Sequence, residues 1–103
     1  MKASVPFTDS RKAMLKDPEL AALYLEESLQ DGNMAEFKQA LKHVAEARLG
    51  GMAALSRITR LNRESLYRAL SEKGNPRLAT LTKVLSAVGL RIGVNVQCDP
   101  EHP

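Results

Sequence analysis

Residues 55–70 carry the pattern that most constrains the fold of this chain. Their apolar residues are spaced so that two short helices, joined by a tight turn, can share one small core. These residues are Leu55, Ile58, Leu61, Leu66, Ala69 and Leu70. The polar residues after Leu61 then line the outward face of the second helix. This layout is typical of a helix-turn-helix, whose second helix enters the major groove of DNA.

The positive charge of the chain is concentrated around this pattern. Residues 51–97 contain eight Lys or Arg and two Asp or Glu, a surplus of six positive charges. Residues 1–50 contain seven Lys or Arg and eight Asp or Glu, and the whole chain has a net charge of +3. A basic segment that coincides with a helix-turn-helix pattern favours a nucleic-acid partner. The alternative interpretation is a solvated basic surface without a ligand.

Length and composition predict one mainly helical domain. The chain has 103 residues, 4% aromatic residues and no Trp, so its core must be built from smaller aliphatic side chains. No apolar run approaches the ~20 residues that a membrane span needs, and the N-terminus lacks the apolar stretch of a secretory signal. The single cysteine, Cys98, cannot form an intrachain disulfide. These features predict a cytoplasmic protein without a membrane partner.

Periodicity and capping signals divide the chain into a flexible arm (1–16), a domain (17–97) and a tail (98–103). We expect five helices. The first begins at Asp17 and Pro18 and has an apolar stripe of Leu20, Leu23 and Tyr24. The second is capped by Asn33, runs over 34–49 and has an inward face of Phe37, Ala40, Leu41, Val44 and Ala45. The helix-turn-helix pair follows, and after Gly74-Asn75-Pro76 a fifth helix spans about 77–88. Its predicted inward face contains Leu78, Leu81, Leu85 and Val88.

A β-strand is predicted at the end of the domain. Apolar and polar residues alternate over 90–97, with Leu90, Ile92, Val94 and Val96 on one side. A lone strand is unstable and no second strand is predicted, so this strand must pair with another chain. The economical partner is the same strand of a second copy, which gives a homodimer. The alternatives are pairing with a different protein, or an extended tail packed on the helices.

No constellation of residues predicts catalysis, a metal site or a cofactor. His43 has no Cys or second His at ligand spacing, and Cys98 has no adjacent base, so the sequence does not predict an enzyme. The candidate functional residues lie instead on the second helix of the pair and beside it. Contacts with DNA bases and with the DNA backbone are predicted for Asn62, Arg63, Glu64, Ser65, Tyr67, Arg68 and Ser71. Phosphate contacts are predicted for Arg60, Lys73, Asn75 and Arg77.

Several runs of the chain resemble a known family. They are residues 24–29 followed by Asp31-Gly32, residues 61–71 (LNRESLYRALS), the Gly74-Asn75-Pro76-Arg77 element, and then Leu81, Lys83-Val84-Leu85 and Val88-Gly89-Leu90. Together they are similar to the probable addiction module antidote proteins, a group within the Cro/C1-type helix-turn-helix superfamily that is related to HigA-like antitoxins. The sequence departs from the usual helix-turn-helix at Arg60, where Gly is common, and at Ser56, where Ala is common.

The resemblance implies a five-helix, lambda-repressor-like DNA-binding domain whose C-terminal strand pairs across a dimer. It also implies an antitoxin that binds its own operator DNA and neutralises a RelE/HigB-like toxin, usually an mRNA-cleaving ribonuclease. A plain Cro/C1-type repressor without a toxin is the alternative. A third hypothesis is a protein-interaction module that uses the segment 90–96 and side chains of the N-terminal helices, namely Leu20, Leu23, Tyr24, Phe37 and Leu41.

Overall fold

The computed structural model describes residues 8–30 and 32–96, and these ranges contain six α-helices. The prediction of a mainly helical chain is confirmed, but the predicted number of five helices is one too low. No helix in the described ranges has both the length and the apolar character needed to cross a membrane. The helices are α1 (Asp9–Met14), α2 (Pro18–Gln30), α3 (Met34–Leu49), α4 (Met52–Thr59), α5 (Arg63–Ala69) and α6 (Leu78–Ala87).

The additional helix, α1, lies in the segment that the sequence assigns to a flexible arm. Its N-terminus is capped by Thr8, whose Oγ1 accepts a hydrogen bond from the backbone N–H of Arg11. The residue that follows the helix, Leu15, is completely buried in the core. α1 has no buried residue of its own, so its apolar periodicity is too weak to be recognised in the sequence. The first seven residues of the predicted arm, and the tail with Cys98, lie outside the described residues.

The predicted apolar stripe of α2 is wrong for Leu20 and Leu23, whereas Tyr24 is half-buried and packs against the core. The helix buries Ala21, Leu25 and Ser28, whereas Leu20 and Leu23 are exposed. Leucines occur on several sides of α2, so periodicity alone does not single out the inward face. Ser28 is tolerated inside because its hydroxyl donates to the carbonyl of Leu25 at 2.6 Å. As predicted, Asp17 caps the helix, with Oδ1 accepting from the backbone N–H of Glu19 at 2.9 Å.

The central element is α3, which packs against α1, α2 and α4. Its five predicted inward residues are all buried, and Asn33 caps it as predicted by accepting from the backbone N–H groups of Ala35 and Glu36. The remaining core comes from Leu55, Leu66, Leu70 and the end of α6. Ile58 and Leu78, which the pattern places on inward faces, are exposed instead.

A polar contact also joins α2 to α3. The Tyr24 hydroxyl lies 2.8 Å from Nδ1 of His43, and Nε2 of Gln39 lies 3.2 Å from the other ring nitrogen. Burial is the main cause that lowers the pKa of His43, and two nearby cations add to this while Glu46 opposes it. A lowered pKa keeps the imidazole neutral in the folded state. Its contribution to stability is therefore present above the ordinary histidine pKa and is lost as the pH falls.

Beyond α6, the chain turns at Gly89 (φ 87°), and Leu90 packs against the core. Residues 91–96 are neither helical nor in a strand, and Ile92, Val94 and Val96 are 44%, 96% and 99% exposed. The structure is of one copy of the chain, and a strand requires a partner for its backbone groups. The strand at 90–96 therefore stays a prediction.

Candidate nucleic-acid interface

The segment predicted to be a helix-turn-helix contains α4, a three-residue turn and α5. Arg60 adopts the left-handed conformation (φ 61°, ψ 22°) that this turn requires, and its backbone N–H donates to the carbonyl of Ser56 at 2.8 Å. Two side chains of α4 then hold Leu61, the middle residue of the turn. The hydroxyl of Ser56 donates to the carbonyl of Leu61 at 2.7 Å, and Oγ1 of Thr59 accepts from the Leu61 N–H at 3.2 Å.

The first turn of α5 is fixed by a side-chain cap. Oδ1 of Asn62 accepts from the backbone N–H of Ser65 at 3.1 Å, which is the arrangement preferred at helix N-termini. Asn62 therefore serves the helix as a cap, as predicted, and the oxygen that would contact a base is already engaged in that cap. On the inner side, Leu66 and Leu70 are fully buried and attach α5 to the core.

The outer side of α5 is polar and cationic. Arg63, Glu64, Tyr67 and Arg68 are all exposed, and so is Ser65. The guanidinium of Arg63 lies 5.9 Å from the centre of the Tyr67 ring, within the range of a cation–π contact. Residues separated by four positions are neighbours on a helix. Arg63 and Tyr67 thus form one row and Glu64 and Arg68 the adjacent row, on a surface that is open to a ligand.

The remaining predicted residues lie in the segment that follows α5. Lys73, Asn75 and Arg77 are exposed, and Ser71 is half-buried with its hydroxyl donating to the carbonyl of Arg68 at 2.7 Å. Gly74 is required here because of close packing. A Cβ atom at this position would overlap the carbonyl oxygens of Arg68 and Ala69. The segment therefore folds directly against the last turn of α5.

Sequence reasoning missed the residue that holds this segment in place. Lys38 of α3 is only 3% exposed, and its Nζ donates to the carbonyls of Ser71 (2.6 Å), Glu72 (3.0 Å) and Gly74 (2.6 Å). A signal was present in the sequence. Lys38 precedes the buried Leu41 and Ala45 by three and seven residues, so it lies on the inward face of the helix.

Comparisons with known proteins identify a family for this chain. A family model described as probable addiction module antidote protein matches residues 8–96. The chain belongs to this family. An uncharacterized protein from Haemophilus influenzae is 41% identical over 80 residues, which cover 78% of this chain and 80% of that protein. No solved structure matches the chain. An antidote in an addiction module is the partner of a toxin, so membership supports an antitoxin role.

The strain at Arg60 generates a prediction about stability. A left-handed conformation costs a residue with a Cβ atom about 1 kcal/mol, a cost that glycine does not incur. We expect Arg60→Gly to have a free energy of unfolding about 1 kcal/mol higher than Arg60→Ala, measured by urea denaturation. Both variants lose the guanidinium, so their difference isolates the backbone term. Equal free energies of unfolding for the two variants would mean that residue 60 of the free protein does not hold φ near 61°.

Proposed function

We propose that this protein is a DNA-binding antitoxin of a type II toxin–antitoxin module, which represses its own operon and neutralises a RelE/HigB-like toxin. The observation that carries the DNA-binding part is the exposed outer face of α5, with Arg63, Tyr67 and Arg68, in the segment that holds the positive charge of the chain. The toxin part is supported by family membership. The helix-turn-helix is of the Cro/C1 type in this proposal.

Most of the predicted residues have a chemical task on DNA in this proposal. Arginine side chains can bind guanine through two hydrogen bonds, so Arg63 and Arg68 read bases from adjacent rows of α5. Glu64 accepts a hydrogen bond from cytosine, and Tyr67 packs its ring or donates its hydroxyl. Phosphate contacts set the position of the protein on the duplex without reading sequence. They come from Arg60 in the turn and from the exposed segment after α5, namely Lys73, Asn75 and Arg77.

Two copies of α5 act together in this proposal. A homodimer places two such helices on half-sites about one helical turn of DNA apart, ~34 Å. The segment 90–96 joins the copies as an antiparallel strand pair. Support for this pairing comes from the near-complete exposure of Val94 and Val96. Exposure of several neighbouring apolar side chains to water is unfavourable and indicates a surface that a partner covers.

The toxin-binding surface is proposed on the outer side of α2. Of the five residues predicted for protein interaction, Phe37 and Leu41 are buried in the core, so they cannot contact a partner. Leu20 and Leu23 are exposed, and α2 contains three Glu and no Lys or Arg. A ribonuclease must attract the phosphates of RNA and therefore carries positive charge. An acidic helix with exposed leucines complements such a surface.

The DNA-binding proposal predicts the effect of removing two arginines. Arg63→Ala/Arg68→Ala is expected to lower affinity for the DNA upstream of the gene by at least tenfold, because each two-hydrogen-bond contact between arginine and guanine is worth ~1–3 kcal/mol. Gel shifts measure this affinity, and for the wild type it should fall with rising salt. Lys12→Ala/Lys16→Ala removes the same charge near α1 and should bind like the wild type. Undiminished binding by the α5 variant contradicts the proposal.

The dimer proposal predicts different effects for two neighbouring substitutions. Val94→Asp places a charge on the apolar side of the predicted strand pair, and light scattering is expected to show a monomer at micromolar concentration. Asn95→Asp introduces the same charge on the other side of the strand and should remain a dimer. If the wild type is itself a monomer, the segment 90–96 does not pair with a second copy.

The toxin proposal is tested by co-expression with the product of the neighbouring gene. Leu23 and Leu29 are equally exposed, at 51%, and lie on different sides of α2, so they form a matched pair. We expect Leu23→Asp to abolish co-purification of the toxin and Leu29→Asp to leave it intact. A wild-type protein that binds its operator but captures no neighbouring gene product would be a plain repressor of the Cro/C1 type.

A further inference from the structure

The ammonium group of Lys38 is the most unusual polar group in the core. Lys38 lies in α3, whose neighbouring inward residues are apolar, and its side chain is almost completely buried. An ammonium has three N–H donors, and Nζ of Lys38 contacts three carbonyl oxygens at 2.6–3.0 Å. Burial of a charged group is costly unless its hydrogen-bonding capacity is met. Here three backbone carbonyls accept the three hydrogen bonds that the ammonium can donate.

All three carbonyls belong to the segment 71–74, which directly follows α5. Gly74 lies so close to the last turn of α5 that it has no room for a Cβ atom. Within the segment, the backbone N–H of Gly74 donates to the carbonyl of Ser71 at 3.0 Å. A carbonyl that points into the core also needs a donor from outside the segment. Lys38 is that donor for residues 71, 72 and 74. The position of the chain from Lys73 to Arg77 therefore depends on a side chain more than thirty residues earlier.

We propose that Lys38 is a positioning residue for DNA recognition. It is too deeply buried to contact DNA itself, but it sets where the segment after α5 presents Lys73, Asn75 and Arg77 to phosphates. The inference rests on the DNA-binding function proposed above and adds to it a residue outside the helix-turn-helix. Phosphate contacts fix the register of a protein on the duplex, so a displaced segment weakens operator binding even when α5 is intact.

A matched control lies at the other end of the same helix. Nε of Arg48 donates to the carbonyl of Val88 at 2.6 Å, and Nη1 donates to the carbonyl of Lys16 at 2.5 Å. Arg48 thus anchors backbone carbonyls as Lys38 does, with the same charge, but its partners precede α2 and follow α6. A substitution at Arg48 removes a comparable anchor without affecting the segment after α5.

The test compares Lys38→Met with Arg48→Met at a temperature where circular dichroism shows both to be folded. Operator affinity is measured by fluorescence anisotropy over a range of salt concentrations. We expect Lys38→Met to bind about tenfold more weakly and its salt slope to fall by about one to two, as one or two phosphate contacts are lost. Arg48→Met, with light scattering showing the same oligomeric state as the wild type, is expected to keep the wild-type slope. A smaller folded fraction alone lowers apparent affinity but leaves the slope unchanged.

A wild-type slope in Lys38→Met would overturn the inference and leave the proposed function intact. An absence of salt-dependent DNA binding by the wild type would instead overturn the proposed function. If Lys38→Met does not fold, Lys38→Arg takes its place. It keeps the charge, but a planar guanidinium cannot direct three donors from one atom onto three carbonyls. Its slope is expected to lie below that of the wild type, and an unchanged slope again rejects the inference.

Discussion

Two cationic side chains of α3 bind backbone carbonyls of segments that are distant in sequence, and the placement of α5 depends on one of them. Lys38 holds residues 71–74, and Arg48 holds residues 16 and 88. Helices shorter than about 12 residues are marginal in isolation. α4 and α5 have eight and seven residues, so their geometry comes from tertiary contacts. For α5 these are the burial of Leu66 and Leu70 on one side and the Lys38 contacts beyond its end.

The turn before α5 shows how a strained residue is retained. Arg60 occupies a conformation that favours glycine, and such strain persists only where the surroundings determine the backbone. Here the backbone of Leu61 is held at both ends, its carbonyl by the hydroxyl of Ser56 and its N–H by Oγ1 of Thr59. An alanine at position 56 would lack the first of these contacts. The two departures from the usual motif are therefore linked, since Ser56 stabilises the turn that Arg60 strains.

The features that the sequence predicts correctly are local ones. Asn33 and Asn62 cap α3 and α5 through N–H groups only two or three residues away, and the buried face of α3 has a clear period. The features that it misses depend on distant partners. The inward side of α2 is decided by which of its faces meets α3, and the carbonyls that accept from Lys38 are brought to it only by the fold. The candidate interface was predictable because the pattern of α5 lies within a few consecutive residues. Lys38 was not predictable, because its carbonyl partners lie more than thirty residues further along the chain.

The arrangement around α3 also suggests how the proposed antitoxin could hold two partners at once. α2 packs directly on α3, whereas the segment after α5 is attached to α3 through Lys38. The acidic outer side of α2 and the cationic outer side of α5 thus belong to different elements attached to one helix. Under the proposed function, their opposite charges disfavour exchange of partners, because α5 repels a cationic toxin and α2 repels DNA. In that proposal the separation of charge along the chain contributes to specificity as well as to affinity.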